Sequence, residues 1–311
     1  MPGVLALTGG TGFIGGHVLA QALAAGWRVK ALARRPETLT ATEGLEIVPG
    51  DLESPEALMR LLAGADAVVH AAGLVAARDR ATFVRINADA TGRLAALAAA
   101  QDRPPRFLLI SSLAAREPAL SPYAASKRRG EEALAAAGGL DWACLRPPVV
   151  YGPGDRATLP LFRQFKRGLV LHPPGGGRFS MIHVEDLAAA VLAILDLDTM
   201  NDVIVELDDR RPGGYGWDQV LAAAARQFDR RVRGLPVPAA AMRALAALLT
   251  AAGAVTGRPA FLSQGKVSEA LHPDWVCRDD GVEILSTWRP KFDLDEGFAR
   301  TIAWYTARRW L

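Results

Sequence analysis

With 311 residues, half of them apolar and 22% charged, the chain can bury a large core and has a globular rather than a disordered balance. A net charge of +3 leaves no basic stripe, which argues against nucleic acid as a partner. Cys144 and Cys277 lie far apart, in no metal-like spacing and with no histidine partner, so neither a metal site nor a disulfide framework is expected. No signal peptide is expected, because the first strand begins almost at Met1. The longest apolar stretch, Ala244–Val255, is too short to span a bilayer. A cytoplasmic setting follows as the expectation.

The first apolar run, Val4–Leu7, feeds into Thr8-Gly9-Gly10-Thr11-Gly12-Phe13-Ile14-Gly15 and then into a helical pattern over Gly15–Ala25. The glycines fit either Gly10-x-Gly12-x-x-Gly15 or Gly9-x-x-Gly12-x-x-Gly15. Strand, glycine turn and helix is the arrangement in which backbone N–H groups and a helix N-terminus hold a pyrophosphate. Gly9, Thr11, Gly12, Phe13, Ile14 and Gly15 are therefore candidate contacts to a dinucleotide. A second strand, Val29–Ala33, ends in Arg34-Arg35, with no carboxylate until Glu37. A carboxylate there would bond a ribose 2′-hydroxyl, whereas a guanidinium grips a 2′-phosphate. This favours NADP(H) over NAD(H), with Arg34 the first candidate and Arg35 the second.

After a third strand, Glu46–Val48, comes Gly50-Asp51-Leu52, where the Asp51 carboxylate can accept from an adenine amino group. A helix over Ser54–Leu62 leads to the strand Ala67–His70, closed by the small residues Ala71-Ala72-Gly73 that let backbone approach a cofactor closely. His70 reads as a packed strand-end residue, not a catalyst. A helix over Phe83–Ala100, a strand at Phe107–Ser111, a helix over Tyr123–Ala137 and a strand at Trp142–Leu145 complete the alternation. Repeated βαβ units predict a doubly wound parallel sheet of Rossmann type, with ligands at the C-terminal ends of its strands.

From Tyr151 the rhythm breaks at Gly152-Pro153-Gly154, Pro173-Pro174-Gly175-Gly176-Gly177 and Pro212-Gly213-Gly214. A helix at Val184–Leu195 and a strand at Val203–Leu207 lie between these loops. The expected division is a dinucleotide-binding domain over 1–150, with 183–207 returning to it. Residues 151–182 and 208–311 then form a smaller, mostly helical substrate-binding region. Phe162, Phe165, Phe179, Met181, Met242 and Phe261 are candidates for an apolar pocket there. The apolar segment Ala239–Val255, interrupted by Arg243, reads as a lid or packing helix, with peripheral membrane contact the less favoured alternative.

The chemistry centres on Tyr123-Ala124-Ala125-Ser126-Lys127 at the opening of a helix. A spacing of four puts phenol and ammonium on one face. A free tyrosine, with a pKa of about 10, holds its proton too tightly to exchange it readily at neutral pH. A neighbouring ammonium favours the phenolate and lowers that barrier. Ser111-Ser112 ends a strand on the cofactor edge and offers a hydroxyl to a substrate carbonyl oxygen, Ser112 being the first choice and Ser111 the fallback.

The glycine pattern, the Asp51 position, Ser112, Tyr123 and Lys127 together resemble an extended short-chain dehydrogenase/reductase. The run Arg146-Pro147-Pro148-Val149-Val150-Tyr151-Gly152-Pro153-Gly154 strengthens the likeness. His183-Val184-Glu185-Asp186-Leu187-Ala188 is similar to a segment of the NAD-dependent epimerase/dehydratase group. The tail, with Trp288-Arg289-Pro290 and Thr301-Ile302-Ala303-Trp304-Tyr305, looks like the end of the same group. The resemblance implies Tyr123 as general acid/base and Lys127 as the residue that lowers its pKa and bonds the nicotinamide ribose. It also implies Ser112 as carbonyl polariser, Asn87 as a shaper of the site, Pro147 and Val150 as nicotinamide neighbours, and dimerisation through the Tyr123 helix.

Leu113-Ala114-Ala115-Arg116 departs from the Val-Tyr-Gly turn of the sugar-nucleotide epimerases, and the Thr-Asp-Glu run of the sugar dehydratases is missing. Plain carbonyl/alcohol redox on a small or medium, partly apolar substrate is therefore the leading expectation. The alternatives are a nucleotide-sugar epimerase or dehydratase holding NAD tightly, and a non-catalytic NADPH-binding scaffold.

Overall fold

The computed structural model describes residues 3–200, 202–256, 262–278 and 288–311. Phe261, one of the apolar pocket candidates, lies outside them. In chain order the first half runs β1 (Val4–Thr8), α1 (Phe13–Ala24), β2 (Arg28–Ala33), β3 (Leu45–Pro49), α2 (Pro55–Leu62), β4 (Ala67–His70) and α3 (Arg80–Val84). It continues through α4 (Ala90–Ala99), β5 (Arg106–Ile110), α5 (Pro122–Ala135) and β6 (Trp142–Arg146). The second half holds β7 (Val149–Tyr151), α6 (Leu159–Arg167), β8 (Leu169–His172), β9 (Arg178–Phe179), β10 (Met181–His183), α7 (Val184–Leu195) and β11 (Val203–Glu206). Then come α8 (Trp217–Gln227), β12 (Arg233–Pro236), α9 (Ala239–Thr256), α10 (Gln264–Leu271), β13 (Asp274–Trp275) and α11 (Leu294–Ala307).

Seven of these strands form one parallel sheet in the order β11-β6-β5-β4-β1-β2-β3. Every residue of β1 and of β4 is buried, as unbroken apolar runs are when helices cover both faces of a parallel sheet. The chain leaves β1 toward β2 and β3, then returns to lay β4 on the other side of β1, with Thr8 level with His70. That reversal opens a crevice beyond the carboxyl ends of β1 and β4. The doubly wound fold expected from the alternation is the fold observed. Local signals set its helices: α2 starts at Ser54, whose hydroxyl accepts from the Ala57 N–H, with Pro55 at the first helical position. One face of α2 then buries Ala57, Leu58, Leu61 and Leu62 against the sheet.

The chain divides into two compact units. Among described residues the first comprises 3–146, 188–200, 202–206 and Trp288, and the second 147–187, 207–256, 262–278 and 289–311. The second unit has its own aromatic core, in which Phe162 and Phe165 of α6 pack edge to face with each other and Phe298 and Tyr305 of α11 lie against Phe162. Phe162, Phe165 and Met181 are thus core residues, because the three-residue spacing on α6 turns its apolar stripe inward; they do not line a pocket. Three two-stranded parallel ladders, β7 with β10, β8 with β12 and β9 with β13, accompany the helices. Strands of two to four residues carry too little period to be read from sequence. The helix α9 lies against α10, where Gln264 Nε2 donates to the Arg243 carbonyl at 2.8 Å, yet of its described side chains only Ala246 is fully buried.

Candidate active site

The glycine turn is decided by backbone crowding. Gly9 sits at φ +77°, and a Cβ there would lie 2.6 Å from the Ala71 carbonyl carbon. A Cβ on Gly15 would stand 2.1 Å from the Gly9 carbonyl oxygen, which also accepts from the Gly12 N–H at 2.8 Å. Gly10 has an ordinary φ, and a Cβ there would meet only the Leu7 and Ala31 side chains and no backbone, so Gly9-x-x-Gly12-x-x-Gly15 is the sterically favoured reading. Gly12 then begins α1 with no side-chain cap, and Thr11 and Gly12 are exposed, while Phe13 and Ile14 are half-buried. The first-turn N–H groups of α1 are left for an anion, which fits a dinucleotide pyrophosphate.

Thr8 and His70, level on adjacent strands, hold the neighbouring loop. The Thr8 hydroxyl lies 2.6 Å from His70 Nδ1 and accepts from the Ala72 N–H at 3.3 Å. On its other side His70 Nε2 is 3.1 Å from the Thr91 hydroxyl, which donates its one proton to the Asn87 carbonyl. Thr91 must therefore accept, which puts the imidazole proton on Nε2 and leaves Nδ1 to accept from Thr8. Burial, aided by the Lys127 charge, drives the His70 pKa down to about 3, so the ring stays neutral. It positions Ala71, Ala72 and Gly73 and takes no part in proton transfer.

Asn87 lies in a π-helical turn, Arg85–Asp89, that interrupts the single helix expected over Phe83–Ala100. Its amide exchanges hydrogen bonds with Leu74, accepting from the N–H at 2.7 Å and donating to the carbonyl at 2.9 Å. The Asn87 amide nitrogen also donates to Ser126 on α5 at 2.9 Å. This close approach depends on Gly130, where a Cβ would fall 2.4 Å from the Asn87 carbonyl oxygen. Such π turns gather at functional sites because they re-aim one side chain.

Helix α5 is capped by Ser121, which accepts from Ala124 N–H at 2.9 Å, with Pro122 at its first position. Tyr123 follows in the first turn, half-buried, its ring centroid 6.0 Å from that of Phe83. One turn on, Lys127 is buried and donates from Nζ to the Ile110 carbonyl at the end of β5, at 2.7 Å. Burial lowers its pKa to about 8, with Cys144 and the Glu131 carboxylate acting in the opposite sense. Gly73 borders the same ammonium: a Cβ on it would be 3.8 Å from Lys127 Nζ.

The two serines separate cleanly. Ser111 is buried and spends its hydroxyl on Glu131 Oε1 at 2.6 Å, so the fallback candidate has no proton to offer a substrate. Ser112 is half-buried and caps the short 3₁₀ turn Leu113–Arg116 by accepting from Ala114 N–H at 3.2 Å. An accepting cap leaves its hydroxyl hydrogen available as a donor.

Beneath these groups runs a buried chain of alternating charges that sequence reading missed. Glu131 takes Arg146 in a two-pronged pair, at 2.6 and 2.9 Å. Arg146 reaches Glu206 at 3.6 Å, and Glu206 takes Arg116 at 3.1 Å. Burial opposes the Arg146 charge, but Glu131 outweighs it and holds the guanidinium above its usual pKa. The chain ties α5 to the carboxyl ends of β6 and β11 and to the turn after Ser112. A carboxylate four residues after Lys127 was its only signal in the sequence.

The remaining candidates sit further out. Arg34 and Arg35 are exposed after β2, and their guanidinium groups bond no described residue. Asp51 is exposed, with Oδ1 accepting from Glu53 N–H at 2.9 Å, and Leu52 is half-buried against the core. Pro147 and Val150 belong to the second unit, Val150 pairing with Ile182. Burial pushes the Cys144 thiol well above its usual pKa, which keeps it unreactive. Among the described residues no cluster of side chains could hold a metal ion, and no helix is long and apolar enough to cross a membrane.

Residues 5–205 match the model of the NAD dependent epimerase/dehydratase family. Over 99% of this chain and 96% of its own length, a ceramide reductase from Caulobacter vibrioides is 41% identical. A 4-hydroxy-2-methyl-3-oxo-4-farnesyl-3,4-dihydroquinoline-1-oxide ketoreductase from Stigmatella aurantiaca is 32% identical over 60% of this chain and 62% of its own. Among solved structures, the UDP-glucose 4-epimerase of Thermus thermophilus in complex with NAD superposes with a TM-score of 0.72. It covers 98% of this chain and 99% of its own at 22% identity, a likeness of fold alone.

Proposed function

The chain belongs to the NAD dependent epimerase/dehydratase family, and from that premise we propose that it is an NADP(H)-dependent reductase of a ketone carried by a lipid of the ceramide class. The observation that carries the redox reading is Lys127, buried at the end of β5 with its ammonium fixed on the Ile110 carbonyl, one helical turn after Tyr123. A desolvated cation in that position favours the phenolate of a tyrosine on its own helix face. The substrate is larger than the small or medium carbonyl expected from sequence. The likeness to the ceramide reductase runs through 99% of the chain, and so through the second unit, the part expected to select the substrate.

The uncapped start of α1 and the Gly9, Gly12 and Gly15 turn would hold the pyrophosphate, and Arg34 and Arg35 the 2′-phosphate. Asp51 would take the adenine amino group, with Leu52, Ala71, Ala72, Gly73, Pro147 and Val150 along the remaining cofactor surface. When bound, the nicotinamide supplies the hydride. The chain's own work is on the oxygen: Tyr123 donates its phenolic proton to the carbonyl oxygen as the alcohol forms, and Ser112 donates a hydrogen bond to the same oxygen. Lys127 holds the phenolate left behind. A homodimer through α5 and a cytoplasmic setting belong to the same reading.

The test is NADPH oxidation with a panel of 3-oxo lipids, short ketones and sugar nucleotides, with NADH alongside. Tyr123→Phe should lower kcat by at least about 100-fold while NADPH binding persists. Arg34→Ala should raise KM for NADPH far more than for NADH. Near-normal turnover in the phenylalanine variant would remove Tyr123 from the chemistry, and a preference for NADH would remove the phosphate site.

A further inference from the structure

The second unit presents apolar surface that its own core does not use. In the β8–β12 ladder Val170 is fully buried, while Leu169 and Leu171 on the opposite face are 50% and 53% exposed. The parallel register sets Leu235 of β12 level with Leu171, also half exposed, and Arg233 level with Leu169. Paired residues of a ladder point to the same side, so three leucines and an arginine share one outward face. Val237-Pro238 then leads into α9, where Leu245, Leu248 and Leu249 are 50%, 69% and 40% exposed. An apolar helix that buries a single described residue is unusual in a water-soluble unit and marks an interaction surface.

Charge says what kind. The chain as a whole is nearly balanced, with 36 basic against 33 acidic residues. Residues 159–184 nevertheless carry four basic and no acidic side chains, and residues 230–256 again four and none. Lys166 and Arg167 lie exposed just before β8, Arg230 and Arg231 just before β12, and Arg243 is the one charge on α9. Leucines set among cations that form no salt bridge among the described residues complement an anionic lipid headgroup layer over an acyl interior.

We propose that the second unit docks on the surface of an anionic bilayer through the outer face of the β8–β12 ladder and α9, the leucines entering the headgroup–acyl boundary and the arginines meeting lipid phosphates. No span is involved; the contact is peripheral and reversible, and weakens with salt. This surface does not rest on the assigned substrate, since it is argued from exposure and charge alone. Docking would let an enzyme draw an apolar substrate from the membrane without passing it through water.

The test is flotation of the full chain with vesicles of phosphatidylglycerol and phosphatidylcholine in equal parts, against pure phosphatidylcholine. Binding to the anionic vesicles should fall at least about tenfold in about 0.5 M salt. The pairs Leu245→Glu/Leu248→Glu and Leu171→Glu/Leu235→Glu should each weaken it by a similar factor at unchanged Tm. Arg231→Glu/Arg233→Glu should abolish the preference for anionic lipid. Met59→Glu, at an exposed apolar position of the first unit, should bind like the parent. Absence of binding to either vesicle, or binding indifferent to the leucine pairs, overturns the proposal. So does a protein that remains off vesicles while sedimentation shows a dimer that the same pairs dissociate, because the occupant is then a second copy.

Discussion

Replacing Lys127 by methionine should make the protein more stable at neutral pH and inactive. The folded chain lowers the Lys127 pKa from 10.5 to about 8, chiefly by burial. An unfolded chain therefore binds more protons than the folded one between those values, and stability must rise as pH increases through that window. At about 1.4 kcal/mol for each tenfold change, the full difference is about 3 kcal/mol, of which about 2 to 3 kcal/mol is recovered between pH 7 and pH 10. Methionine fills a similar volume and does not titrate, but it forfeits the hydrogen bond to the Ile110 carbonyl, worth about 1 kcal/mol. The variant should thus exceed the parent by about 2 kcal/mol at pH 7 and lose that advantage by pH 10. Urea unfolding of both proteins across this range isolates the effect, because titrating groups that do not interact with Lys127 cancel in their difference. A difference that is flat with pH, or that grows toward pH 10, would refute a desolvated ammonium at this position. On the proposed chemistry, instability at neutral pH accompanies a charge kept one helical turn from the phenol that would give up its proton.

Acid should act through His70, whose pKa is about 3 in the folded chain against 6.5 for the free group. Its contribution is lost as pH falls below 6.5, and by pH 4 the parent should give up about 3 kcal/mol that His70→Gln does not; parallel curves would contradict this. Glu131→Gln removes the carboxylate charge and one of the two acceptor oxygens facing Arg146, leaving Glu206 at 3.6 Å as its ion-pair partner, and should destabilise the protein by about 3 kcal/mol in thermal or urea unfolding. An unchanged Tm would mean that the charge chain is not a structural anchor. In the second unit a Cβ on Gly297 would lie 2.1 Å from the Tyr151 hydroxyl, which is buried without a hydrogen-bond partner among the described residues. Gly297→Ala should cost about 2 kcal/mol or more, and Tyr151→Phe should be near neutral alone and partly restore the alanine variant. Additive effects of the two changes would break the link between them.

Much of the first unit was legible because its signals are local. Val4–Leu7, the glycine turn and Ser54-Pro55 each specify an element through the few residues they contain, and the alternation of strand and helix then leaves one handed way to assemble the sheet. Tyr123 and Lys127 were readable for the same reason, since four residues along a helix is one turn. The contact that occupies Ser111, the fallback to Ser112, was not, because it depends on Glu131, twenty residues away, reaching that hydroxyl.

Contacts between distant residues decided the rest. Asn87 is aimed by a π turn that a helical pattern does not announce, and Gly130 matters only because α5 meets that turn at backbone distance. The charge chain from Arg116 to Glu131 joins residues from four elements, and only Glu131, four residues after Lys127, left a trace of it in the spacing. For α9 composition announced an apolar helix, but which of its residues a neighbour covers is settled only in three dimensions. Sequence by itself determined the longer strands and helices of the first unit and their order, because these follow from short-range sterics and periodicity. Which hydroxyl keeps its proton, which ammonium loses its water and which leucines stay bare were decided by the tertiary structure, because burial and hydrogen-bond partners are properties of the assembled neighbourhood.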